Sequence, residues 1–234
     1  MNPTKKSADQ SARRIPYLDH HATTPIDYRV REAMEPYLGP EFGNAASSTH
    51  ADGWRAEAAV DLARESLAEH LGAASPSEIV FTSGATESNN LAILGLADAS
   101  PSPGHMITVV TEHPSVLDPC RALLRRGWEV TELGVDSNGL LTPAQVEAAL
   151  REDTRLVSVM SANNEIGVLQ PIAAIAELCR GRGVAFHSDA AQAVGKISLP
   201  TGGEGLDLVS VSAHKFYGPK GVGCLRLRKQ GRPR

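Results

Sequence analysis

Short apolar blocks recur along this chain, and from residue 78 onward they fall into a regular order. The runs at 79–82, 106–110, 128–133, 156–160 and 184–187 read as short strands, most of them largely apolar. Between them, 87–97, 115–126, 143–150 and 172–180 carry apolar residues at helical spacing, with Thr142 placed to cap the third and Gly181 and Gly183 closing the fourth. Two more strands are predicted at 207–212 and 222–227. The gap between them is too short for a crossover helix, so the last strand is expected to run antiparallel. Upstream, 17–25 reads as a short extended piece ending in a turn. A helix is predicted over 27–38 (Val30, Met34, Tyr37, Leu38), then a small-residue loop over 41–50. A long amphipathic helix over 51–71 counts Trp54, Ala58, Leu62 and Leu67 among its apolar positions.

Strands alternating with helices predict an α/β fold: a mainly parallel, mixed sheet with helices on both faces. The expected division is a polar tail over 1–16, an N-terminal segment over 17–50 and one large domain over 51–234.

Composition adds exclusions. With 41% hydrophobic and 21% charged residues the chain reads as an ordinary globular protein. Its net charge of −4 gives no general pull toward nucleic acid or an anionic membrane. No apolar run reaches membrane-spanning length. Three scattered cysteines (Cys120, Cys179, Cys224) form neither a disulfide framework nor a zinc motif, which fits a reducing, cytoplasmic setting without a bound metal. Residues 1–14 lack the apolar core of a secretory signal, and their Lys and Arg residues suit a short tail better than a targeting segment.

In an open α/β sheet, ligands bind beyond the carboxyl ends of the strands, so the residues there matter most. After 79–82 comes S-G-A-T-E-S, where Ala85 and Thr86 open a helix able to hold a phosphate. After 106–110 comes T-E-H-P, with His113 able to lie on a planar ligand or move a proton. After 156–160, S-A-N-N-E-I-G offers two neutral amides. After 184–187, S-D-A-A-Q places Asp189 where an unpaired charge would be costly, so a cation is its expected partner. After 207–212, S-A-H-K-F-Y-G-P-K-G carries Lys215 to a strand mouth, followed by a Gly-Pro turn. Each feature has a bland counterpart: a plain helix cap, a capping histidine, loop turn chemistry, a surface lysine. Taken together and in order they describe one ligand, with a phosphate, a flat ring, a ring nitrogen to be kept protonated, and an aldehyde for an amine. Pyridoxal 5′-phosphate has all four.

The stretches Y-L-D-H-H-A-T-T-P (17–25), F-G-N-A-A-S-S-T-H (42–50), F-T-S-G-A-T-E-S-N-N (81–90), T-E-H-P-S-V-L-D (111–118), N-N-E-I-G-V-L-Q-P (163–171), H-S-D-A-A-Q-A-V-G-K (187–196) and S-A-H-K-F-Y-G-P-K-G-V-G (212–223) carry a resemblance. The chain resembles the class V, fold-type-I pyridoxal-phosphate enzymes, and among them the cysteine desulfurases of the NifS/IscS type. The resemblance implies that Lys215 bonds the cofactor aldehyde and later shuttles the substrate's α-proton. Asp189 would pair with the ring nitrogen, His113 stack on the ring and assist proton transfer as a second catalytic residue, Gln192 bond the ring hydroxyl, and Asn164 lie near ring and substrate. Ala85, Thr86, Ser212 and His214 would hold the phosphate. It further implies L-cysteine as substrate, alanine and an enzyme persulfide as products, a sulfur-accepting or scaffold protein as partner, and a homodimer.

Two departures stand out. Ala45-Ala46 replaces the usual Pro-Ser in the F-G-N loop. The family's smaller C-terminal domain, with its nucleophilic Cys and carboxylate-binding Arg, is not in this sequence, nor is the Thr by which a neighbouring subunit completes the phosphate site. The chain is therefore expected to encode the large cofactor-binding domain, with its own three cysteines buried. A silent cofactor-binding or dimerising fragment, another class V enzyme such as a selenocysteine lyase or an aminotransferase, and a phosphate-binding α/β protein without a lysine–cofactor bond are the alternatives.

Overall fold

A computed structural model describes residues 15–200 and 205–229. Of the expected tail over 1–16, residues 1–14 lie outside the described residues, as does the end of the chain beyond 229. Seven strands, β1 (Ile79–Thr82), β2 (His105–Val109), β3 (Glu129–Leu133), β4 (Thr154–Ser158), β5 (Ala185–Asp189), β6 (Leu208–Ser212) and β7 (Gly223–Leu227), form one sheet in the order β1-β7-β6-β5-β4-β2-β3. The pairs from β3 through β6 are all parallel, and β7 runs antiparallel to both β6 and β1. The final antiparallel strand and the mixed, mainly parallel sheet are as the spacing predicts.

Successive residues of a strand face opposite sides of the sheet, and each side has its own core here. Met106, Ala185, Leu208 and Leu225 pack with Ile93 of α3 (Ala85–Ala99) and with Val116 and Leu123 of α4 (Pro114–Leu124). Their neighbours Ile107, Phe186, Val209 and Cys224 pack with Val146 of α5 (Pro143–Ala149) and Ile175 of α6 (Ile172–Gly181). Burying a side chain such as Phe186, 1% exposed, contributes about 1.5–3 kcal/mol. Thr142 caps α5 through a reciprocal capping box with Gln145, as its position suggests.

Two upstream expectations need correction. The helix over 27–38 is an α-helix, α1 (Tyr28–Met34), followed by a separate 3-10 turn (Glu35–Leu38) containing Pro36. Proline lacks the N–H that would continue the α-helical ladder. The apolar positions of this segment bury nothing: neither helical piece has a buried residue. The long helix α2 (Ala51–His70) forms where expected, but its apolar residues do not make a buried face. Trp54 and Leu62 are 54% and 67% exposed, and only Gly53 and Ala68 are buried. Its C-terminal end alone joins the core, through Leu67, Ala68 and Leu71. No described helix is long and apolar enough to cross a membrane.

Candidate active site at the strand ends

β1, β2, β4, β5 and β6 all end at the same rim of the sheet, because β1, paired antiparallel with antiparallel β7, points the same way as β6. A cleft of about 840 Å³ opens there. All nine predicted site residues line it: Ala85, Thr86, His113, Asn164, Asp189, Gln192, Ser212, His214 and Lys215.

One side of the cleft is a helix N-terminus. Gly84 precedes α3 with φ 150°, in the region open to glycine. The first N–H groups of a helix have no partner within it, so they suit an anion. This turn lies tight against the sheet: a Cβ added to Gly223 would fall 2.6 Å from Gly84 Cα and 2.4 Å from Val211 O. Ser212, at the end of β6, and His214 flank it. Burial and the nearby ammoniums of Lys215 and Lys220 hold the His214 imidazolium below its usual pKa.

Asp189 closes β5, beside β6 in parallel register, and is 7% exposed. Its Oδ1 accepts from Ala191 N at 2.9 Å and its Oδ2 from Asn89 Nδ2 at 2.7 Å. Asn89 Nδ2 also donates to Ser115 Oγ at 2.8 Å, and Ser115 Oγ lies 2.8 Å from His113 Nδ1. Ser115 N–H donates to that same Nδ1 at 3.1 Å. Nδ1 is thus an acceptor, and the proton of a neutral His113 ring sits on Nε2. A buried chain of polar groups therefore ties the ring-stacking candidate to the carboxylate. Glu112 sits next to it, 5% exposed, with Oε1 accepting from Met160 N–H and Oε2 buried without a hydrogen-bond partner. Burial, reinforced by the charge of Asp189, pushes its pKa well above the usual carboxylate range and favours the protonated form.

Lys215 ends the 3-10 turn Ala213–Lys215 that follows β6. Its Nζ donates to the backbone carbonyl of His21 at 2.6 Å. Burial lowers its pKa, opposed by the charges of Asp189 and Asp19, which moves the amine toward the neutral, nucleophilic form. The turn is sewn to the N-terminal segment. His214 O accepts from Thr24 N at 2.9 Å and Thr24 Oγ1 at 3.0 Å, Thr24 Oγ1 accepts from Tyr217 N at 2.7 Å, and Tyr217 O accepts from Asp27 N at 3.0 Å. Those bonds hold Tyr217 at φ 70°, a left-handed conformation uncommon for a non-glycine residue. Gly218 follows because a Cβ there would fall 2.7 Å from Ala213 Cβ.

Asn163 and Asn164 separate in role. Asn163 Oδ1 accepts from Glu165 N at 2.8 Å and Ile166 N at 3.0 Å, which is turn chemistry, and only Asn164 lines the cleft. All three cysteines are buried, none lines the cleft, and burial pushes each thiol up to about 12. Among the described residues no group of His, Cys, Asp and Glu side chains is placed to hold a metal ion.

Residues that the strand ends did not single out are Asp19 and His21 in the N-terminal segment, and Asn89 and Ser115 behind Asp189. The donor set fits pyridoxal 5′-phosphate. It combines a helix N-terminus with Ser212 and His214, an imidazole, a buried carboxylate with donors already fixed on both oxygens, and a half-buried lysine.

Known proteins give the same picture. Cysteine desulfurase IscS of Anaeromyxobacter sp. (strain Fw109-5) is 56% identical over 219 residues, which are 93% of this chain and 54% of that protein. The chain spans about half the length of the curated relatives it matches. Among solved structures, a NifS-like protein superposes with TM-score 0.87 at 39% identity, over 92% of this chain and 60% of that one. SspA in complex with cysteine superposes with TM-score 0.85 at 42% identity, over 90% and 60%. The model of the aminotransferase class-V family, whose members depend on pyridoxal phosphate, matches residues 16–233, and the chain belongs to that family.

Proposed function

We propose that this chain is the cofactor-binding part of a pyridoxal-phosphate-dependent cysteine desulfurase, which converts L-cysteine to alanine and passes the sulfur to a thiol. The observation that carries this reading is the opening of Asp189, at the end of β5, and Lys215, in the turn after the adjacent parallel β6, into one cleft with a helix N-terminus. When bound, the cofactor supplies an electron sink that acidifies the substrate's α-carbon. The chain's own residues do the rest. Ala85, Thr86, Ser212 and His214 hold the phosphate. Asp189 keeps a proton on the ring nitrogen, and His113 covers the ring face. Gln192 bonds the ring oxygen, and Asn164 faces ring and substrate. Lys215 anchors the cofactor and then moves the α-proton. Proposed partners are a second copy of the chain and a sulfur-accepting protein, such as one serving iron–sulfur cluster assembly. The three unpaired thiols support a cytoplasmic setting.

One observation favours a second reading. With every cysteine buried and its thiol near 12, none is placed to take the sulfur as a thiolate. On that reading the chain binds cofactor and amino acid but turns over nothing by itself. Incubation of cofactor-loaded protein with L-cysteine and a thiol reductant, followed by assay of alanine and sulfide, separates the two. Both products support the desulfurase reading. Neither product, with a bound yellow chromophore, supports the silent one.

A further inference from the structure

The motif at 187–196 ends in Lys196, for which the functional reading above has no use. Lys196 Nζ donates to Gln192 Oε1 at 2.8 Å, and Gln192 Nε2 donates to His21 O at 2.7 Å. An amide's oxygen and nitrogen are easily interchanged by rotation. Here both neighbours forbid the flip, because an ammonium only donates and a backbone carbonyl only accepts. The Gln192 amide thus has one orientation, with a second Nε2 hydrogen left for an acceptor in the cleft. The turn that carries both residues is anchored on the Lys215 side: a Cβ on Gly195 would lie 3.3 Å from Phe216 Cβ. Burial and the charge of Lys215 lower the Lys196 pKa. The ammonium form, which can only donate, is the one that makes the lock.

Resting on the proposed cofactor, we propose that Lys196 is a positioning residue that locks the Gln192 amide so that its nitrogen, not its oxygen, meets the ring oxygen of pyridoxal phosphate. With Lys196 removed, only His21 O still holds the amide, and the orientation that turns its oxygen toward the ring oxygen, two acceptors face to face, is less strongly opposed.

The test measures dissociation constants for pyridoxal phosphate and for its 3-deoxy analogue, which lacks the ring oxygen. The proteins are wild type, Lys196→Met, Lys196→Arg, Gln192→Leu and the Lys196→Met/Gln192→Leu double variant. Thermal midpoints serve as the check on folding. Lys196→Met is expected to weaken pyridoxal phosphate about five- to tenfold, the worth of one hydrogen bond. It should leave the deoxy analogue unchanged and add nothing in the Gln192→Leu background. Lys196→Arg, which keeps a donor, should restore most of the affinity. Equal weakening of both ligands, no weakening of either, or full additivity with Gln192→Leu overturns the proposal. A wild-type chain that binds neither ligand overturns the cofactor reading and this proposal with it.

Discussion

Asn89 Nδ2 donates to Asp189 Oδ2 at 2.7 Å, joining two side chains 100 positions apart in sequence. It also holds Ser115, which in turn holds His113. Removing that amide leaves the carboxylate with one fewer donor, and hydrogen bonds to charged groups are worth about 1.5–3 kcal/mol. Asn89→Ala should therefore weaken pyridoxal-phosphate retention about ten- to a hundredfold, read by equilibrium dialysis. Asn89→Asp should be worse, since it sets a second carboxylate against the first. Unchanged retention in both variants would remove Asn89 from the site.

Two buried groups give opposite pH dependences. His187 bridges Ser158 Oγ and Ser210 Oγ at 2.8 and 2.9 Å, and burial lowers its pKa to about 3. The unfolded chain takes up this proton first, near pH 6.5. Stability is therefore fully present above that pH and is lost on acidification toward 3, by up to about 1.4 kcal/mol per pH unit. His187→Gln should flatten the fall in urea midpoint between pH 6.5 and 4.5. A parallel fall in variant and wild type would contradict the assignment.

Glu112 acts in the other direction. Its folded pKa is raised, so the folded state keeps a proton that the unfolded chain releases above about pH 4.5, and stability falls as pH rises. Glu112→Gln keeps an acceptor for Met160 N–H and cannot ionise. Its stability relative to wild type should climb between pH 4.5 and 8 in urea titrations. A constant difference across that range would show that the buried carboxyl is not neutral.

The contact of Gly84 with Gly223 is a backbone requirement. Gly223→Ala places a methyl 2.4 Å from Val211 O, where only backbone can give way. The cost should be about 3 kcal/mol or more, at or beyond the upper end of overpacking penalties. Cofactor affinity should fall with it, because the helix that opens the phosphate side is displaced. Gly223→Ala with wild-type stability would mean that the Gly84 turn and β7 are not in contact.

Much of the site was legible because a parallel α/β sheet places its functional residues at strand ends. Asp189, Lys215, His113 and Ala85 all follow recognisable apolar runs. Asn89 follows none. It lies inside α3, and its signal is subtler: Ser88 and Asn89 are polar residues on a face otherwise built from Ala92, Ile93 and Ala97. The binding of 21–27 to 214–217 leaves no periodicity to read, since the partners are about 190 residues apart. The stripe on α2 misled for a related reason. An apolar helical pattern records that a face is apolar, not what covers it, and Trp54 and Leu62 stay exposed among the described residues.

The most direct measurement is borohydride reduction of the cofactor-loaded chain, followed by peptide mass analysis. Among the described residues, three lysines lie at or near the cleft, Lys196, Lys215 and Lys220. The account predicts a pyridoxyl adduct on Lys215 alone, abolished in Lys215→Ala. Cofactor-saturated protein with Lys215 unmodified, or with the adduct on Lys196 or Lys220, would contradict it.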